Sequence, residues 1–185
     1  MTGAYDLPFY AEIDGRQFKI RQNCDYRIVL QCINALNDTE LSEYQRVQCA
    51  VIIFYEDYDE IQDMQTAVEE MFRIISYGDT GEGESQKPQL MDWDKDFSQI
   101  APPVSRILGY DVRLPDKYTH WWTFLGGYME IGECTFATIV SIRAKKLKGK
   151  KLEKWEEEFY REHIDQVRLP QKFTKEEQEL IALFE

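Results

Sequence analysis

The run HWWTFLGGYMEIG at residues 120–132, together with the helix-like stretch behind it to residue 151, constrains this chain most. It follows Leu114-Pro115-Asp116, where proline cannot continue a helix and aspartate tolerates a tight bend. On a helix, Trp121, Leu125 and Tyr128 fall at i, i+4 and i+7, with Trp122 and Met129 beside them, so they share one broad apolar face. Burying such a face contributes roughly 2–3 kcal/mol per large side chain. Gly126 and Gly127 interrupt it at about 1 kcal/mol each relative to alanine. A glycine pair there points to a close backbone approach or a bend. A second helix is expected over 135–148, closed by Gly149. Its apolar stripe is Phe136, Ile139, Val140 and Leu147, and Arg143 points into the middle of that stripe, while Lys145 and Lys148 face water. A guanidinium in that position requires a partner. The expected structural ion pair is Arg143 with an acid such as Asp111 or Asp165; a contact with another molecule is the alternative.

The chain is 43% hydrophobic over 185 residues, enough for one real core or a small domain with appendages. Its formal net charge of −12 argues against general binding to nucleic acid or anionic membranes. That charge is uneven. Residues 38–84 carry 13 acids against Arg46 and Arg73, a local balance of −11, whereas residues 143–154 carry seven bases against Glu153. Such asymmetry suits docking between molecules, although a solvated acidic face accounts for much of it. Cys24, Cys32, Cys49 and Cys134 lack CxxC or metal-like spacing; three of them lie on expected helix faces and read as small apolar residues, and a reduced, cytoplasmic setting is expected. No apolar run is long enough to span a membrane, and no signal-peptide pattern opens the chain.

The expected fold is mainly α, a helical bundle with one N-terminal β-hairpin. Phe9, Ala11, Ile13, Phe18 and Ile20 alternate with polar residues around Asp14-Gly15, a strong two-residue turn signal. Asp25 can cap a helix carrying Ile28, Val29, Cys32, Ile33 and Leu36, and Ser42-x-x-Gln45 resembles a capping box opening a helix to Tyr55. A third helix is expected over 61–77, with Ile61, Met64, Val68, Met71, Phe72 and Ile75 inward and Gly78 as cap. The acidic turn before it lacks the glycine and ligand spacing of a calcium loop. DTGEGESQKPQ at 79–89 is polar and aperiodic, which divides the chain into residues 1–78, a linker at 79–91, and a helical part at 92–185. In that last part Asp92 or Asp94 caps a helix that Pro102-Pro103 must kink or restart. Leu152, Trp155 and Phe159 share a further face, and Thr174-x-x-Glu177 starts a short final helix.

Chemistry is hard to place. The two histidines, His120 and His163, belong to no HExxH-like spacing, and no nucleophile motif or phosphate-binding glycine loop is present. No catalytic, cofactor-binding or metal-binding residue is assigned, and no cofactor is expected. His120, before Trp121, reads as a helix-start cap. The run RAKKLKGKKLEK at 143–154 lacks interleaved aromatics, so nucleic acid is a weak candidate partner.

The order of EIDG, DWDKDFSQI, LGYDVR, HWWTFLGGYMEIG, TIVSIR and KGKKLEKWE resembles the bacteriophage gene-product-fifteen family, encoded in the tail-morphogenesis region of long-tailed phages of Gram-positive bacteria and their prophages. The resemblance covers nearly the whole chain and is most specific over 92–155. It implies a non-enzymatic tail assembly chaperone. Such a protein holds the tape-measure protein in the host cytoplasm until tail-tube subunits polymerise, and is absent from the finished virion. Its partners would be the tape-measure protein, the tail-tube protein, and a second tail chaperone or another copy of itself. A transient binder of apolar helices uses aromatic surface left over once the core is filled. The candidates are Trp122, Tyr128 and Met129, with Tyr110 and Tyr118 nearby; a place for them in the core is the alternative. The competing functions are a structural or connector component of the tail, a nucleic-acid-contacting accessory, and a hydrolase using His120.

Overall fold

Asp14 and Gly15 both take left-handed backbone angles, φ 51° and 74°, the geometry a two-residue hairpin turn needs. They join β1 (Tyr10–Ile13) to β2 (Arg16–Lys19) in an antiparallel pair with Ala11 opposite Phe18 and Ile13 opposite Arg16. Ala11, Ile13, Phe18 and the following Ile20 are buried, whereas Phe9, expected on the same inward side, is 38% exposed. The computed structural model of the chain describes residues 6–78 and 88–170. Most of the expected linker and the expected final helix lie outside the described residues.

Three helices follow the hairpin. Asp25 caps α1 (Tyr26–Leu36) by accepting the Arg27 N–H at 3.0 Å. Ser42 and Gln45 make the reciprocal bonds of a capping box at the start of α2 (Glu43–Phe54). The Arg21 guanidinium donates to the carbonyls of Ile52, Ile53 and Tyr55 at the other end of α2, satisfying acceptors the helix cannot. A short 3-10 turn at Tyr58–Glu60 precedes α3 (Met64–Ile75), so α3 starts later than periodicity alone suggested, with Asp63 as its cap. Consequently Ala67, Met71 and Ile74 form its buried side, and Met64 and Phe72 turn outward.

The chain divides into two compact units, and residues 118–125 group with the N-terminal one although they come after the linker in sequence. Among the described residues, one unit comprises 6–78 with Tyr118–Leu125, and the other 88–117 with 126–170. The second unit contains α4 (Trp93–Leu108), the later half of α5 (Trp121–Met129), α6 (Thr135–Leu147), α7 (Lys154–Glu162) and α8 (Ile164–Val167). Helices dominate both units, and β1–β2 is the one sheet among the described residues.

Within the second unit, Asp92 caps α4 by accepting the N–H groups of Asp94 and Lys95. The helix neither stops nor restarts at Pro102-Pro103. Pro102 is exposed and so is Ser98, whose carbonyl loses its donor there, so water can replace the missing bond. Gly127 of α5 lies against α4: a Cβ there would sit 3.3 Å from the Leu108 side chain. The close approach inferred from the glycine pair is thus made by side chains rather than by a second backbone.

Arg143 is buried in α6 as its place in the stripe required, but its carboxylate is Asp96 of α4, not Asp111 or Asp165. The pair is bidentate, Nη1 to Oδ2 at 2.6 Å and Nη2 to Oδ1 at 2.9 Å. Nη1 also donates to Leu90 O, Nη2 to Gln166 O and Nε to Val167 O, so all five guanidinium N–H groups are used. Asp111 is instead held in a turn by Arg113, two residues away, which keeps its carboxyl at about 2. Asp96 was findable: it precedes Ile100 and Val104 by four and eight residues, a charge inside an apolar stripe like Arg143 itself.

Three smaller expectations change. Lys145 is not left in water but donates to buried Glu156 at 2.6 Å, and Glu156 also accepts the Glu153 N–H at the start of α7. Leu147 is 57% exposed, and Ile142 takes the buried place beside Ile139 and Val167. Trp155 is 53% exposed, its indole N–H donating to Glu153 at 2.9 Å. In urea denaturation, Arg143→Ala should lower stability by about 3–5 kcal/mol, because it strands a buried carboxylate; Arg143→Met with Asp96→Leu should recover most of that loss.

Candidate functional site

Residues 118–125 are built into the hairpin unit by main-chain pairing with the approach to α1. Tyr26 N–H donates to Thr119 O at 2.9 Å, Trp121 N–H to Cys24 O at 2.8 Å, and Thr119 N–H to the buried Asp25 carboxylate at 3.1 Å. Asp25 therefore serves a helix cap and a distant segment together. The two tryptophans then reach the far end of α3. Trp121 Nε1–H donates to Ile75 O at 2.9 Å and Trp122 Nε1–H to Ile74 O at 2.8 Å. These are last-turn carbonyls; Ile74 O also takes the Tyr77 N–H at 3.3 Å, and the two indoles complete the capping of the helix's C-terminal end. Trp121 also stacks on Phe124, and Phe124 on Tyr26 at 4.4 Å.

His120 sits buried at the start of α5. Its Nε2 lies 3.1 Å from Pro8 O, which can only accept, and its Nδ1 accepts the Trp122 N–H at 3.0 Å. The ring is therefore neutral with its proton on Nε2. It performs the helix-start role expected of it. Desolvation by burial holds its pKa below the ordinary histidine value, partly opposed by the Pro8 carbonyl and Asp25. A depressed histidine pKa stabilises the fold fully above the free imidazole value of about 6.5, and that contribution is lost as pH falls below it. Wild-type stability should therefore drop as pH falls below about 6.5, and His120→Asn, which can still accept the Trp122 N–H, should flatten that part of the curve in urea titrations.

The five aromatic and methionine candidates divide between the two units. Tyr118 and Trp122 belong to the hairpin unit, and Tyr110, Tyr128 and Met129 to the other. Trp122 is half-buried, held by Ile74 O and by the Tyr77 ring at 5.2 Å. Tyr128 is likewise half-buried, its ring 5.0 Å from Trp93 and its hydroxyl donating to Met91 Sδ at 3.1 Å. Tyr118 keeps an exposed ring while its hydroxyl donates to Asn23 O at 2.7 Å; burial of that hydroxyl pushes its pKa to about 12. Met129 is 60% exposed, and Tyr110 is half-buried. Trp122 and Tyr128 thus each make hydrogen-bonding and ring contacts within their own unit while keeping part of their surface open.

A hollow of the hairpin unit lies elsewhere, along β1. It encloses about 690 Å³ and is lined by Leu7, Phe9 and Tyr10 on its apolar side. Asp6, Glu12 and the Glu70–Arg73 ion pair of α3 (Nη2 to Oε2, 2.7 Å) supply its polar side. Leu7, Phe9 and Tyr10 are all exposed, and the Phe9 ring meets the His120 ring edge-on at 5.5 Å. Sequence reasoning missed this surface because it assigned Phe9 to the buried side of the hairpin. The available signal was Pro8, which has no N–H to give a ladder and so marks Phe9 as the frayed end of the hairpin.

Among the described residues no group of three His, Cys, Asp or Glu side chains is placed to hold a metal ion, and no helix is long and apolar enough to cross a membrane. Cys24 and Cys32 are buried free thiols whose pKa values burial pushes up to about 12, which disfavours the nucleophilic thiolate.

No curated protein and no solved structure matches this chain. The family described as Bacteriophage Gp15 protein matches residues 5–169. That span takes in the hairpin, the tryptophans that cap α3 and the Arg143–Asp96 pair, so the chain belongs to the bacteriophage Gp15 protein family.

Proposed function

We propose that the protein is a non-enzymatic tail assembly chaperone that holds the tape-measure protein, tail-tube subunits or both during tail morphogenesis. It acts in the cytoplasm of the host bacterium and leaves before the virion is complete. The observation that carries this reading is the exposed groove along β1, whose lining includes the exposed Leu7, Phe9 and Tyr10. An apolar surface of that kind on a small domain marks a place where another protein docks. Membership of a phage family and the resemblance to tail-region proteins narrow the choice of partner. Tyr118 and Met129 offer further exposed contact area.

Affinity purification from phage-infected or prophage-induced cells, with bound proteins identified by mass spectrometry, should recover the tape-measure protein, the tail-tube protein or both. Phe9→Ser with Tyr10→Ser should reduce that recovery at least about ten-fold, a change of about 1.4 kcal/mol, while leaving the helical circular dichroism intact. Purified virions should contain none of the protein. Its presence there in fixed stoichiometry would make it a structural tail component instead.

A further inference from the structure

A second hollow, in the other unit, has the opposite electrical character. It encloses about 190 Å³ where α6 ends beside α7 and α8, and its apolar walls are Leu90, Leu147, Tyr160, Val167 and Leu169. Its charged lining residues are Arg143, Lys146 and Arg168, and no carboxylate is among the described residues that line it. That is unusual placement for a chain with 34 acidic and 22 basic residues. Arg143 is neutralised by Asp96, which leaves Lys146 and Arg168 as the charges on the rim. Both turn to Tyr160 rather than to an acid: Lys146 Nζ lies 3.9 Å from its ring centroid, and Arg168 Nε donates to its hydroxyl at 3.4 Å.

We propose that this groove is a docking site for an acidic segment of a partner protein, one that inserts a single large apolar side chain and sets carboxylates against Lys146 and Arg168. The volume fits one such side chain, and Leu147 stands largely exposed at its edge, where an inserted anchor would cover it. Two rim cations without carboxylates favour an anionic partner, and the wider run 143–154, seven bases against Glu153, attracts the same charge at a distance. Nucleic acid fits less well, because the ring face available for stacking, that of Tyr160, is already covered by Lys146. The inference does not depend on the hairpin groove, which uses other residues in the other unit.

The test uses the full-length protein and a fluorescein-labelled synthetic amphipathic peptide of about four helical turns, glutamate on one face and leucine and phenylalanine on the other. Anisotropy should show saturable binding that weakens with salt. Lys146→Glu with Arg168→Glu should lower affinity at least about ten-fold, and Leu147→Ser, which leaves charge unchanged, at least about three-fold. Lys150→Glu with Lys151→Glu, outside the groove, should change it by less than about three-fold. Circular dichroism should show each variant folded. Failure of the wild type to saturate, equal losses in the two charge-reversal pairs, no loss in Leu147→Ser, or displacement of the peptide by an equimolar DNA duplex would each overturn the proposal.

Discussion

Two indole N–H groups finish a helix that lies more than forty residues earlier in the chain. Trp121 and Trp122 donate to Ile75 O and Ile74 O, and through those bonds the segment 118–125 becomes part of the hairpin unit. Much else in that unit follows from the placement. Asp25 can receive Thr119 N–H only if the segment lies there, and His120 can bridge Pro8 O and Trp122 N–H only if both tryptophans are seated. The buried rings of Tyr26, Phe124 and Trp121 fill the space so enclosed. Polar satisfaction and apolar burial therefore depend on the same few residues, and the net cost of a buried polar group without a partner makes the arrangement specific.

The second unit uses a different device. Its Arg143–Asp96 pair draws on α4 and α6, and the same guanidinium collects carbonyls from Leu90, Gln166 and Val167. Burying two charges gives little net stability even when the geometry is good. What the pair contributes is register, since no neighbouring side chain can replace a fully used five-donor fork. Lys145 with Glu156 repeats the idea closer to the surface and ties α6 to the start of α7.

Each unit carries a hollow that the proposed binding role can use. One lies along a β-strand and presents exposed apolar side chains beside acids; the other is small, apolar and rimmed by cations. The proposed chaperone would have to hold its partner and later release it, and open surfaces of mixed character favour release. Deep enclosed pockets would work against that.

What the chain determined by itself is the local structure. The hairpin at Asp14-Gly15, the Asp25 cap, the Ser42–Gln45 capping box and the burial of Arg143 all follow from short-range chemistry, because turn angles, caps and helical periodicity depend on residues a few positions apart. The tertiary structure decided the pairings between distant elements. Asp96 rather than Asp111 answers Arg143, the 118–125 segment joins the hairpin instead of the C-terminal part, and Phe9 and Trp155 turn out. Each of these depends on which surfaces meet, and many pairings of faces satisfy one apolar pattern equally well until packing and hydrogen bonding select among them.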